Sequence, residues 1–267
     1  MSDEEPLAGG WQTDVRRVGQ VVTRAPKPQS RTVMALLHHL HDQGFDGSPR
    51  PIDDGFTPDG REQLEYVDGK TPHPGPWTDE DALHLGDLVR GLHDAAATFV
   101  PPSDATWQPW FARALPAERT VIGHGDLGPW NILKRPDQCL ALIDWDNAGP
   151  VGAIWEVAQL VWLNAQLHDD DVAAEAGLPT AADRINQAAA IVDGYRLPRP
   201  DRERLCECLV ELAVRTARDE AVQAAVTPET TSPDPRGFPT LWAVSWRARA
   251  AAWMIDHREL IHAAINQ

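Results

Sequence analysis

One stretch constrains the fold of this chain more than any other: Val121-Ile122-Gly123-His124-Gly125-Asp126-Leu127-Gly128-Pro129-Trp130-Asn131-Ile132-Leu133, followed closely by Leu140-Ala141-Leu142-Ile143-Asp144-Trp145-Asp146. Apolar runs broken by Gly- and Pro-containing loops read as strand, loop, strand, turn, strand. Asp126 sits on the first loop, where a carboxylate stays exposed at a strand end, and Asn131 opens the next strand. The run 131–134, the turn Arg135-Pro136-Asp137-Gln138 and the run 139–144 form a hairpin that returns Asp144 beside Asn131. Three oxygen-bearing side chains therefore converge.

Such a set suits one kind of chemistry. Magnesium takes hard oxygen ligands and completes its shell with water and substrate phosphates, so Asn131 and Asp144 fit as its protein ligands beside a nucleotide. Asp126 is left as a base. In phosphoryl transfer a carboxylate orients the acceptor hydroxyl and accepts its proton, while metal ions neutralise charge on the phosphates. His124 reads as a loop-shaping residue bonded to nearby backbone, and Glu156 as a structural partner of the loop. Asp146 fits either a second metal ion or an exposed turn.

The rest of the chain supplies a setting. Residues 15–24 alternate around Gly19 as a short hairpin, ended by Pro26 and Pro28. From Ser30 to Gly44, Val33, Leu36, Leu37 and Leu40 recur at helical spacing, with Ser30 as the start cap and Gly44 as the stop. Strand-like runs at 51–56 and 61–67 flank the turn Thr57-Pro58-Asp59-Gly60. The breaker-rich segment 71–77 reads as a linker, so the lobe boundary falls near residue 70. A helix over 79–99 follows, with Thr78 as its cap, and from residue 154 nearly everything except the Pro-rich stretch 228–239 has helical periodicity. The run His168-Asp169-Asp170-Asp171 reads as a solvated helix end, and most of the Trp residues as core.

With 24 Lys plus Arg against 40 Asp plus Glu, the 267-residue chain has a formal net charge of −16, which repels polyanions and argues against a nucleic-acid partner. A cationic substrate suits it better, but charge alone names no ligand. The acidic start Met1-Ser2-Asp3-Glu4-Glu5-Pro6 lacks the basic and apolar regions of a secretory signal, so a cytoplasmic protein is expected. The apolar stretch 151–163 is too short to span a bilayer and is interrupted by Glu156 and Gln159, so no membrane partner is expected. Cys139, Cys206 and Cys208 form no Cys-x-x-Cys pair and read as reduced thiols.

His124-Gly125-Asp126 through Asn131 resembles the H-x-D-x-x-x-x-N catalytic loop of the aminoglycoside phosphotransferase and choline kinase-like superfamily, and Ile143-Asp144-Trp145-Asp146 resembles its metal-binding segment. The early hairpin, the Leu36-Leu37 helix, Gly60-Arg61-Glu62 and Trp155-Glu156-Val157-Ala158 follow in the same order, so the likeness covers most of the chain. It implies an α+β, two-lobe protein-kinase-like fold: a small sheet-containing N-lobe at 1–69 that binds nucleotide, and a mostly helical catalytic and substrate-binding C-lobe at 70–267. It implies a phosphotransferase using ATP or GTP with Mg²⁺, acting on a hydroxyl of a small molecule such as an aminoglycoside or other amino-bearing alcohol. Asp126 would be the catalytic base, Asn131 and Asp144 the magnesium ligands, and Glu65-Tyr66-Val67 the hinge that receives the adenine. The chain departs from the family in its small lobe. The strand position for the phosphate-holding Lys carries Arg24, the following helix has no Glu, and the Gly-rich loop is reduced to Gly9-Gly10 and Gly19. Those departures motivate a second reading, a nucleotide-binding protein with little or no turnover.

Overall fold

The computed structural model describes residues 5–6, 15–233, 237 and 239–267. Gly9-Gly10 and the start Met1-Ser2-Asp3-Glu4 lie outside the described residues. The chain forms two compact units. The first comprises Met1–Thr71, Gly91–Trp110 and Val121–Pro150; the second comprises Pro72–Arg90, Phe111–Thr120 and Val151–Gln267. The loop-and-hairpin segment thus packs in the same unit as the N-terminal sheet.

In the first unit, β1 (Glu5–Pro6), β2 (Arg16–Val18), β3 (Val21–Arg24), β4 (Pro51–Phe56) and β5 (Glu62–Glu65) form an antiparallel sheet in the order β1-β2-β3-β5-β4. Gly19, at φ +61°, makes the β2–β3 turn, and Gly60, at φ +85°, closes the β4–β5 turn with its N–H on the Thr57 carbonyl. β5 stops at Glu65, so Tyr66 and Val67 lie just beyond the strand. Helix α1 (Ser30–Asp42) buries Val33, Leu36, Leu37 and Leu40, each such side chain contributing about 1.5–3 kcal/mol. Gly44 ends it in the left-handed conformation. Ser30 does not cap the helix as expected. It is the first helical residue, and its hydroxyl takes the Lys27 N–H and donates to the Glu62 carboxylate.

Strand β6 (Thr120–Gly123) leads into the loop of Asp126, and β7 (Ile132–Lys134) pairs antiparallel with β8 (Leu140–Leu142), Ile132 opposite Leu142. Residues 149–152, not foreseen as regular structure, form β9 (Gly149–Gly152). Helix α2 (Asp79–Ala95) starts on Thr78, whose hydroxyl accepts the Asp81 N–H, and gives way at Ala96 to a 3₁₀ turn, short of the expected residue 99. Leu83 faces solvent instead of the core.

The second unit is built from the first part of α2 with α3 (Ala153–Asn164), α4 (Asp170–Glu175), α5 (Ala181–Tyr195), α6 (Arg199–Gln223), α7 (Thr240–Asp256) and α8 (Arg258–Ile265). A Cβ on Gly86 would lie 2.1 Å from the Ile191 carbonyl oxygen and one on Gly194 would lie 2.0 Å from that of Leu83, so paired glycines let α2 and α5 touch backbone to backbone. α3 is buried on nearly every side. Its Glu156 is fully buried and faces the guanidinium of Arg113, which burial pushes below its ordinary pKa and the Glu156 charge pulls back. Trp77, Trp145, Trp155, Trp162 and Trp253 are core, whereas Trp130 and Trp242 are exposed. Among the described residues no helix is long and apolar enough to cross a membrane.

The Asp169-Asp170-Asp171 run is the solvated helix end its composition suggests, with Asp169 capping α4 and the Asp170 and Asp171 side chains exposed, and it also carries ion pairs. Asp169 and Asp171 pair with Arg249, and Asp170 accepts from buried Arg184 (3.0 Å) and from Trp253 Nε1 (2.8 Å). His168 is buried too, and desolvation, followed by the charge of Arg184 and by His73, pushes its pKa down to about 3. The unfolded chain titrates this imidazole near its ordinary 6.5, so between pH 3 and 6.5 the unfolded state binds the extra proton and acid destabilises the fold. Lowering the pH from 7 to 5 is expected to cost about 2 kcal/mol through this group alone. Urea unfolding of His168→Gln should show an acid-induced loss smaller by that amount; equal losses in the two proteins would contradict it.

Candidate active site

The loop after β6 is shaped by Gly125, which adopts φ +76° with its Cα against the Asn147 carbonyl: a Cβ there would stand 2.1 Å from that oxygen. The tight approach fixes its neighbours. His124, fully buried, donates from Nε2 to the Ile143 carbonyl (3.0 Å) and accepts the Asp126 N–H at Nδ1 (3.3 Å). One neutral tautomer satisfies both bonds, so His124 ties the Asp126 loop to the residue before Asp144, the structural part the sequence suggested for it. Its ring also meets Trp145 edge-on at 4.8 Å.

Asn131 Nδ2 donates to Asp126 Oδ2 (2.9 Å) and to the Asp126 carbonyl (3.1 Å), while the Asn131 backbone carbonyl accepts from Ile143 N (2.9 Å). The side-chain amide is therefore oriented by Asp126, which turns its carbonyl oxygen into the available atom. Asp144, at φ +59°, leaves β8 in the left-handed region and presents a half-exposed carboxylate. The hairpin sets Ile143, the residue before Asp144, against the Asn131 backbone, and Asn131 in turn bonds Asp126 on the preceding loop.

Arg24, at the end of β3, reaches the same segment. Its Nη1 lies 3.3 Å from Asp144 Oδ1 and its Nη2 2.6 Å from Asp146 Oδ1, while Nε pairs with Glu62. Burial opposes its charge, but Glu62, Asp146 and Asp144 outweigh that and raise its pKa above the ordinary guanidinium value. Asp146 is also held by Lys27. Burial acts to raise its pKa, yet Arg24 and Lys27 together hold it below the usual carboxylate range. Asp146 is thus neither a bare turn carboxylate nor an unengaged one.

The expected hinge residues Glu65, Tyr66 and Val67 continue the strand paired with β3. Arg24 lies opposite Glu62 and Val21 opposite Glu65, so the hinge begins three residues, about 10 Å, along the strand from the Arg24 level. Glu65 N donates to the Arg50 carbonyl and Tyr66 N to that of Gln20, both at 2.8 Å. Val67 N–H forms no hydrogen bond among the described residues. The Tyr66 ring is covered by the Arg17 guanidinium at 3.5 Å. Beyond the hinge, Lys70 bridges to Lys134 on β7 and the Thr71 hydroxyl donates to the Pro129 carbonyl (2.6 Å), tying this segment to the hairpin.

Sequence reasoning missed Glu62 and Lys27. Glu62 pairs across two strands separated by a helix and another strand, a register that local patterning does not encode. Lys27 was visible as one of only three lysines, but nothing in sequence linked it to Asp146.

Comparison with known proteins bears on this site. The family described as "Phosphotransferase enzyme family" matches residues 3–118 and 103–208. The Trifolitoxin immunity protein of Rhizobium leguminosarum bv. trifolii is 45% identical over 265 residues, covering 99% of this chain and 100% of that protein. Among solved structures, a choline/ethanolamine kinase family protein from Mesorhizobium loti aligns at TM-score 0.62 with 16% identity, over 99% of this chain and 92% of the other. The GDP complex of aminoglycoside 2'-phosphotransferase-IIIa aligns at TM-score 0.61 with 13% identity, over 94% and 92%. The microcompartment-associated aminopropanol kinase aligns at 0.60 with 17% identity, over 98% and 94%. These likenesses show the protein-kinase-like α+β fold.

Proposed function

The chain belongs to the phosphotransferase enzyme family, and from that premise we propose that it transfers the terminal phosphate of ATP or GTP to a hydroxyl of a small molecule. The observation that carries this reading is the Asp126–Asn131 hydrogen bond at 2.9 Å, which keeps a carboxylate and an amide oxygen together on the hairpin that also presents Asp144. Asp126 orients the acceptor hydroxyl and accepts its proton. Arg24, through Nη1 and Nη2, takes the phosphates. The Val67 N–H is offered to the base, with Glu65 and Tyr66 forming the rest of the hinge. In functional terms, residues 1–69 supply the nucleotide-binding lobe and residues 70–267 the catalytic and substrate-binding lobe, in a cytoplasmic setting.

A divalent cation fits the donor set. The Asn131 amide oxygen and the half-exposed Asp144 carboxylate are both hard oxygen ligands, and magnesium needs only one or two such groups beside phosphates. Bound there, it would neutralise charge on the phosphates. The pairing of Arg24 with Glu62 supports nucleotide binding, because a small lobe without the family's helix acid still holds its phosphate-side cation.

The name of the 45% identical relative supports a protective role, in which the acceptor is an inhibitory compound and phosphorylation disarms it. An aminoglycoside or other amino-bearing alcohol remains the class to test first. Purified protein with γ-labelled ATP or GTP and Mg²⁺, presented with aminoglycosides, choline, homoserine and related alcohols, is expected to label at least one acceptor. Nucleotide bound without any transfer would favour a non-turning binding protein, and substrate consumed without nucleotide a hydrolase.

A further inference from the structure

Helix α1 carries no glutamate and its one acid, Asp42, is its last residue, while the acid paired with Arg24 Nε comes from β5. Glu62 is that acid. It stands directly opposite Arg24 in the β3–β5 ladder and is almost completely buried. Its Oε2 accepts from Arg24 Nε and its Oε1 from the Ser30 hydroxyl, whose oxygen in turn accepts the Lys27 N–H at 2.7 Å. Both carboxylate oxygens are engaged, one by the cation and one by the first residue of α1, so the group cannot turn away without leaving a buried charge unpaired.

The guanidinium therefore has two unlike ends. Nε faces the buried Glu62, whereas Nη1 and Nη2 face Asp144 and Asp146, and the Asp144 side chain is half exposed. The Nε end is held on buried Glu62 and Nη2 lies 2.6 Å from Asp146, whereas Nη1 faces the half-exposed Asp144 at 3.3 Å and is the looser end. A planar fork held by one edge presents its other edge in a set direction, which is what bidentate phosphate recognition requires.

We propose that Glu62 is the positioning residue for Arg24: a strand-borne acid that takes the part a helix glutamate plays in related nucleotide-binding lobes, aiming Nη1 and Nη2 at the phosphates. This rests on the nucleotide-dependent reading above. Ser30 extends the device to α1, so that helix, strand and cation move as one.

The test compares wild type, Glu62→Gln and Glu62→Asp in the full chain. Three readouts are needed: the Arg24 Nε–H resonance by ¹⁵N NMR, binding of a fluorescent ATP analogue, and the split of kinetics into KM for nucleotide and kcat. In Glu62→Gln the Arg24 resonance should shift and exchange faster with water, analogue Kd and nucleotide KM should rise at least about tenfold, and kcat should change less. Glu62→Asp should recover part of the binding. A Glu62→Gln protein that binds the analogue as wild type does, or loses binding with the Arg24 resonance unmoved, would overturn the role of Glu62. If Glu62→Gln does not fold, Arg24→Lys replaces it. Lysine keeps the charge but cannot span Glu62 and a phosphate, so binding should weaken similarly, and wild-type affinity in that variant would overturn the proposal. Wild-type protein that binds no nucleotide at all would instead overturn the functional reading.

Discussion

Asp126→Asn should abolish nearly all phosphoryl transfer while leaving the fold in place. The replacement keeps the shape and an oxygen to accept the Asn131 amide, which now bonds Oδ2 at 2.9 Å, so the loop has no steric reason to move. What disappears is the negative charge and the ability to take a proton. General-base catalysis of this kind contributes about 10²–10⁴-fold, so the rate should fall by that order. Nucleotide affinity should change little, because Arg24 and the hinge are untouched. Melting temperature and analogue binding measured beside the rate separate this outcome from unfolding. A variant that keeps more than a tenth of the wild-type rate would remove Asp126 from the chemistry.

Gly125→Ala should be the most damaging single-methyl change in the first unit. The residue sits at φ +76°, where an L side chain costs about 1–2 kcal/mol. The added Cβ would also stand 2.1 Å from the Asn147 carbonyl oxygen, and backbone cannot swing aside as a flexible side chain can. Together these are expected to cost about 3 kcal/mol or more of stability. Activity should fall with it, since His124 and Asp126 flank the glycine and the loop must back away from Asn147 to accommodate the methyl. Gly19→Ala is the matched control. It has φ +61° but no described residue within 4 Å of the added carbon, so the conformational term dominates. Denaturant unfolding of both variants should rank Gly125→Ala well below Gly19→Ala; equal losses would show that the close approach to Asn147 does not constrain the loop.

Much of the site was legible because it is local. Asn131 and Asp144 flank a short hairpin with a strong turn signal, and once that turn is read their adjacency follows from pairing alone. The β4–β5 turn at Gly60, the α1 stop at Gly44 and the Thr78 cap were legible for the same reason: each depends on a few consecutive residues. What escaped depends on distant pairing. Glu62 meets Arg24 only because β5 inserts beside β3 in the sheet order, and Lys27 meets Asp146 across most of the first unit's length. The Asp169-Asp170-Asp171 run was legible as a solvated helix end, but its partners were not, because Arg184 and Arg249 come back from later helices to pair with it. Periodicity located Ser30 at a helix start, but its hydroxyl was recruited by Glu62 instead of capping.

A crystal structure with Mg²⁺ and a non-hydrolysable ATP analogue tests directly whether a nucleotide tail ends among Arg24, Asn131, Asp144 and Asp126. The metal is expected on Asn131 and Asp144, the phosphates on the Nη atoms of Arg24, and the terminal phosphate facing Asp126. An analogue seated elsewhere, or a metal held by other residues while these four keep their present partners, would contradict it.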